Sequence, residues 1–317
     1  MAALPLVPEF ERIDLVYKTL DKTPFGVAVF VPKSILKPDH EKSYPVLVHF
    51  HGGALVMGTN PELPWLSKWI FQLALTTPAI FVSPAYRLVP DATGGQTLDD
   101  VQDFWGWLHA SFPKELQAKF PHLAPDLTRI AAVGESAGGF LSIQSALLFN
   151  EDAQIKAILA AYPAMYPDIA SYNQRPAEVD PGADAVVSEY LAKVRGDGVK
   201  PTVRVSSPWP ELQDVLEAMG KTGRHRELLG DDERLTLGYA LRKAGKMPPI
   251  WVIQGSEDFL VPKVSTDEMV ARIKETHPET PVHYTVVPGG DHGFDNANGL
   301  DDEWVKKGVE FVRQYWS

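Results

Sequence analysis

The sequence contains no cysteine, which excludes disulfides, thiolate zinc sites, iron–sulfur clusters and a cysteine nucleophile together. Long hydrophobic runs are also missing. Stretches such as Ile80 to Val82 or Ile158 to Ala161 are far shorter than the roughly 18 apolar residues of a membrane-spanning helix. Basic residues are in deficit, 30 Lys and Arg against 41 Asp and Glu, and the net charge of −11 repels nucleic acid and anionic lipid. Met1 to Phe10 has neither the basic segment nor the continuous apolar stretch of a secretory leader, and the expected setting is cytoplasmic. What remains is globular in composition. Of 317 residues, 44% are hydrophobic and 22% charged, which argues against disorder and permits a large core.

Periodicity divides the chain into strands and helices in alternation. Ile13 to Leu20 and Phe25 to Val31 flank a turn and read as a hairpin, while Pro45 to Phe50 (PVLVHF) is the near-continuous apolar run of a buried parallel strand. Ala79 to Val82, Arg129 to Val133, Ile155 to Ala161, Pro249 to Gln254 and Val282 to Val287 repeat that pattern, giving eight strands. Helical spacing appears at 63–75, 96–110, 140–149, 263–275 and 301–315. The predicted fold is therefore α/β: a mostly parallel eight-stranded sheet with helices on both faces and the hairpin antiparallel at one edge. Residues 165–246 break the rhythm. They contain no strand pattern, are rich in charge, proline and glycine, and carry helical spacing near 186–194 and 209–219. The expected organisation is a core of residues 1–164 and 247–317 interrupted by a helical cap at 165–246 that shapes a binding site.

Chemistry is concentrated where predicted strands end. Gly134-Glu135-Ser136-Ala137-Gly138 is a GxSxG pattern between a buried strand and an apolar helix, the context of a nucleophile elbow, and it makes Ser136 the candidate nucleophile. Read blandly, it is a glycine-rich strand-to-helix turn. His51-Gly52-Gly53-Ala54 follows an earlier strand, so the amides of Gly52, Gly53 and Ala137 are candidates for an oxyanion hole, against the plainer reading of a loop needing positive φ. His49 and His51 form an HxH pair with no third ligand nearby in sequence. No metal is expected there, and His51 is expected to brace the loop through hydrogen bonds. His292, in Gly290-Asp291-His292-Gly293, is the candidate base, and Asp258, directly after the PIWVIQ strand, is the candidate acid, with Glu257 and Asp291 as rivals. Ser136, Asp258 and His292 then stand in the serine, acid, histidine order of the elbow-bearing fold. The histidines at 40, 109, 122, 225, 277 and 283 are expected in solvated positions.

Taken together, HGGA, Tyr86-Arg87-Leu88 with Pro90, Leu98-Asp99-Asp100, GESAGG, GSEDFLVP and DHGF resemble the hormone-sensitive-lipase type of α/β-hydrolase over roughly residues 45 to 316. The resemblance implies that the HGG segment supplies oxyanion amides, that Ser136 is the nucleophile, and that Asp258 and His292 complete the triad. It also implies that the YRL and LDD segments are scaffold near the site. Two departures are Ala54 where the family often has a third glycine and Glu135 where it usually has Asp. Relatives commonly dimerise through the last strand and final helix, so a homodimer is among the expectations.

The function expected is hydrolysis of a carboxylic ester with a short to medium acyl chain, or of a small metabolite ester, through an acyl-enzyme and with no metal or organic cofactor. Two other readings stand beside it: a tailoring enzyme of secondary metabolism performing thioester or lactone cleavage, acyl transfer or cyclisation, and a non-catalytic ligand-binding protein. Trp65, Trp69, Trp209 and the tyrosines at 162, 166, 172 and 190 read either as an acyl pocket or as ordinary core, and Leu55, Val56 and Met57 as pocket wall or packing.

Overall fold

The computed structural model describes residues 6–37, 42–165 and 177–317. Eight strands form one sheet: β1 (Phe10–Leu20), β2 (Thr23–Pro32), β3 (Lys42–Phe50), β4 (Ile80–Pro84), β5 (Leu123–Glu135), β6 (Ile155–Ala161), β7 (Ile250–Gly255) and β8 (Val282–Val287). Their order is β1-β2-β4-β3-β5-β6-β7-β8. The β1–β2 and β2–β4 pairings are antiparallel, and every pairing from β4 through β8 is parallel. The eight-stranded α/β expectation thus holds, including the hairpin at the edge.

Eleven α-helices accompany the strands among the described residues: α1 (Lys68–Thr76), α2 (Gly94–Ala110), α3 (Phe112–Lys119), α4 (Ala137–Leu148), α5 (Asn150–Ala153), α6 (Pro181–Arg195), α7 (Gln213–Thr222), α8 (His225–Leu229), α9 (Leu237–Lys243), α10 (Lys263–Thr276) and α11 (Glu303–Trp316). The strand runs bury as their composition demands. Val46, Leu47, Val48 and Phe50 are wholly buried, each stabilising the sheet by about 1.5–3 kcal/mol. Helix starts follow local chemistry: Thr93 and Gln96 make a capping box for α2, and Asp180 accepts from Gly182 and Ala183 N–H at the start of α6.

Three expectations need correction. The helix expected from residue 63 begins only at Lys68. Pro61 and Pro64 disfavour helical backbone before it, and the N–H groups of Trp65 and Leu66 instead turn back onto the Glu62 carbonyl. The helix expected from 209 begins at Gln213, beyond Pro208 and Pro210. Of the histidines expected in solvent, His122 is exposed, whereas His277 is buried, His225 is largely so, and His283 stacks on Phe311. A helix end or edge strand in sequence is therefore no guarantee of solvent, because neighbouring elements cover it. His40 lies outside the described residues.

Between β6 and β7 the described residues carry α6 to α9 and no strand. This stretch is tied to the rest of the chain at both ends. Arg195, the last residue of α6, donates to the carbonyls of Pro90, Ala92, Glu227 and Leu228 at 2.7 to 3.1 Å. Ser207 and Gly58 exchange two backbone hydrogen bonds of 2.7 and 3.0 Å. Further on, Gln144 of α4 donates to the Arg234 carbonyl, and the Arg234 guanidinium reaches Asp99 of α2. Near the start of the sheet, Arg87 grips the fully buried Asp100 through its backbone N–H and guanidinium, joined there by Lys18. That makes the YRL and LDD segments structural.

Candidate active site

The carboxyl ends of β3, β5, β6 and β7 lie side by side along one edge of the sheet, the edge where ligand sites of open parallel sheets form. At the end of β5, Ser136 occupies φ 55°, ψ −118°, a conformation L-residues adopt only under constraint. The flanking glycines explain how. A Cβ on Gly134 would strike the Gly138 backbone, and one on Gly138 would strike the Phe50 carbonyl of β3. The turn is held by hydrogen bonds from Ser136 N–H to the Ala161 carbonyl (2.9 Å) and from Ala164 N–H to the Ser136 carbonyl (3.1 Å).

Gly52 faces this turn closely, since a Cβ on it would lie 3.6 Å from that of Ser136. The chain then runs through left-handed backbone at Gly53, Ala54 and Leu55 (φ 96°, 57° and 63°), closed by Val56 and Met57 N–H on the Gly53 carbonyl. The N–H groups of Gly52 and Gly53 donate to no acceptor among the described residues. Ala137 opens α4 directly after Ser136, so its N–H belongs to the first turn, which has no intrahelical acceptor. Leu55 and Val56 are wholly buried and Met57 nearly so, which makes them packing.

His51 braces this loop as its sequence position suggested. Its Nδ1 lies 2.7 Å from the Gly52 carbonyl, and the Tyr86 ring stacks on it at 4.3 Å while the phenol donates to the His51 carbonyl. Burial pushes the imidazole down to about 3, against the Gly52 hydrogen bond, with His49 adding to the fall. Burial likewise lowers His225 to about 4. The unfolded chain takes up these protons near pH 6.5 and the folded chain only several units lower. Stability is therefore full above 6.5 and falls as pH drops through that window. We expect urea unfolding followed by tryptophan fluorescence to lose on the order of 2 kcal/mol per histidine between pH 7 and pH 5, with a flat profile contradicting the assignment.

His49, the other member of the HxH pair, pairs through Nε2 with Glu135 at 2.8 Å, and its Nδ1 meets Ser83 Oγ at 3.2 Å. The residue preceding Ser136 thus anchors β5 to β3 from within the core.

After β7, the Asp258 side chain is fully buried and accepts from Leu260 and Val261 N–H at 3.0 and 2.7 Å. The same carboxylate meets His292 Nδ1 at 2.9 and 3.1 Å. Glu257 points to solvent, and Asp291 is occupied with the His292 and Phe259 backbone N–H groups. The Tyr162 ring lies 4.6 Å from the His292 ring, and Tyr162 sits between Ala161 and Ala164, the two residues bonded to the Ser136 backbone. The structure therefore brings Gly52 and Ala137 beside Ser136 and Asp258 beside His292, with the segment Ala161 to Ala164 touching both groups through the Ser136 backbone and the His292 ring.

The family model for the α/β-hydrolase fold matches residues 47–296. The chain belongs to the α/β-hydrolase family, in its hormone-sensitive-lipase-like branch. Among similar members, a "probable carboxylesterase" of Phoma sp. is 33% identical over 97% of both chains. A second "probable carboxylesterase", from Cochliobolus lunatus, is 36% identical over 58% of this chain and 86% of its own. Of solved α/β-hydrolase structures, a fungal esterase from Rhizomucor miehei superposes with a TM-score of 0.61 at 18% identity, covering 98% of this chain and 85% of that one.

Sequence reasoning missed part of this hydrolase's site. Asp295 is fully buried three residues beyond His292. It accepts from Trp69 Nε1 (2.8 Å), Ser67 Oγ (2.7 Å) and Tyr162 Oη (2.8 Å). Trp69 and Tyr162 are thus core and scaffold, Trp209 is largely exposed, and Tyr190 is half-buried with its phenol on Asp91. Tyr166 and Tyr172 lie outside the described residues. The only signal for Asp295 was a second acidic residue four positions after Asp291 in the same polar, glycine-rich segment. No helix among the described residues is long and apolar enough to cross a membrane.

Proposed function

We propose that this carboxylic-ester hydrolase works through Ser136 as nucleophile, His292 as general base and Asp258 as the carboxylate that orients it. The observation carrying the reading is the pair of contacts between Asp258 and His292 Nδ1, 2.9 and 3.1 Å, beside the strained Ser136 turn. With Nδ1–H held by Asp258, His292 Nε2 is left to take the Ser136 proton as Oγ attacks the acyl carbonyl. The amides of Gly52, Gly53 and Ala137 receive the developing oxyanion, each donor worth a few kcal/mol at the transition state. His292 then protonates the departing alcohol, leaving an acyl-enzyme that an activated water cleaves.

Residues 165–246 are read as the cap, in which α6 and α7 pack on each other and α8 and α9 return to the core beside α2 and α4. The proposed substrate is a neutral ester of a short to medium acyl chain or a small metabolite ester. The similarity to a probable carboxylesterase along nearly the full chain supports this over cyclisation. An alkyl fluorophosphonate tests it directly, since Oγ attack on phosphorus expels fluoride and leaves a stable adduct. We expect one adduct per chain, mapped to Ser136 by peptide mass spectrometry, together with p-nitrophenyl ester turnover that falls as the acyl chain outgrows the site. An adduct on another residue, or none in a protein that turns over esters, overturns the assignment.

A further inference from the structure

Behind the His292 ring lies a buried acidic network that the triad mechanism does not use. Tyr162 has φ 35°, left-handed backbone for a bulky residue and hence held from outside. Its N–H bonds the Ile253 carbonyl of β7 at 2.6 Å, so the residue is pinned between the strand leading to Ser136 and the strand leading to Asp258. The ring is almost wholly buried, tilted 58° to the imidazole at 4.6 Å, and its phenol ends on Asp295. Asp295 receives three hydrogen bonds, one from an indole N–H that can only donate; burial, with Glu135 adding to it, still pushes its carboxyl above the ordinary value against the pull of those bonds. Ser67 connects this carboxylate to the Glu135–His49 pair, its Oγ on Asp295 and its backbone N–H 3.4 Å from Glu135.

Resting on the assignment of His292 as base, we propose that Tyr162 and Asp295 form a positioning pair for the catalytic imidazole, fixing its plane and stabilising the imidazolium that forms when it takes the Ser136 proton. The proton passes from Ser136 Oγ to His292 Nε2, and the ring then carries a positive charge beside an aromatic ring whose hydroxyl is bonded to a carboxylate, an arrangement that favours cations. Tyr162 remains a neutral donor throughout, because burial, with Asp295, Glu135 and Asp258 around it, pushes its phenol well above the usual value. The ionisable groups around His292 are Asp258 at Nδ1, Asp291 on its own loop, Tyr162 on its face and, through Tyr162, Asp295 and Glu135. None of these five groups is basic.

The test is p-nitrophenyl acetate hydrolysis from pH 5 to 9 by wild type, Tyr162→Phe, Asp295→Asn and the double variant, with folding checked by circular dichroism. Tyr162→Phe keeps the ring and its packing, so it decides the matter if Asp295→Asn does not fold. We expect kcat to fall about tenfold with KM within about twofold, and the acid limb of kcat/KM to move down by about half a pH unit, because His292 holds its proton less tightly. The double variant should be no worse than the worse single one, since both remove the same link. A folded Tyr162→Phe with wild-type kcat, or reduced kcat with an unmoved acid limb, overturns the proposal. The fluorophosphonate keeps the two claims apart: labelling of Ser136 in wild type with unchanged labelling rates in the variants fails this proposal alone, whereas wild-type labelling elsewhere fails the triad.

Discussion

Replacing Ser136 by alanine is expected to lower kcat for p-nitrophenyl acetate by about 10⁴- to 10⁶-fold while the protein stays folded. Loss of one hydroxyl removes the covalent route entirely. The oxyanion amides and the bound geometry survive, so a residual rate above that of water should persist. Folding should be little affected, because the strained φ of residue 136 is imposed by the bonds to Ala161 and Ala164 and by the close approach of Gly134 to Gly138. Alanine tolerates that conformation no worse than serine does. Steady-state kinetics on the purified variant, with melting temperature as control, measure both halves of the expectation. Retention of full turnover would mean that ester cleavage proceeds elsewhere on the protein.

The second large effect is expected at Asp258. Asp258→Asn keeps the volume and one acceptor oxygen but replaces the other with an NH₂ group. The carboxylate accepts from Leu260 N–H, Val261 N–H and Gln254 Nε2 in addition to His292, so the amide oxygen will be drawn to the two backbone donors through the present Oδ1. The NH₂ then faces His292 Nδ1, which must become the acceptor, and the histidine is left with its proton on Nε2, where a base needs a lone pair. A loss in kcat of about 10³- to 10⁴-fold follows from the wrong tautomer. Glu257→Gln, one residue earlier and exposed, should leave kcat within about twofold. Equal losses for the two would reverse the choice of acid.

These expectations rest on residues whose importance was largely legible in the chain. The parallel strands declare themselves because a strand buried on both faces must be apolar throughout, as PVLVHF and RIAAV are. Ser136 is visible for a related reason, since a turn that brings β5, β3 and α4 together excludes side chains at 134 and 138 and so writes glycine there. What the sequence does not display is anything decided between distant segments. Asp295, Ser67, Trp69 and Tyr162 meet across separations of 133 to 228 residues, and no local pattern marks a carboxylate whose partners come from two other elements. The same blindness accounts for His277, an apparent loop histidine that is in fact buried, and for α1, where prolines shortened a helix that hydrophobic spacing alone extended.

Arg195 carries a consequence for how the segment between β6 and β7 can move. One guanidinium holds carbonyls on the Pro90–Ala92 connection and on the Glu227–Leu228 turn at once, so α6 cannot lift away without stripping four acceptors together. Because two of those carbonyls belong to α8 and two to the connection after β4, loosening α6 would loosen α8 and the Pro90–Ala92 connection with it.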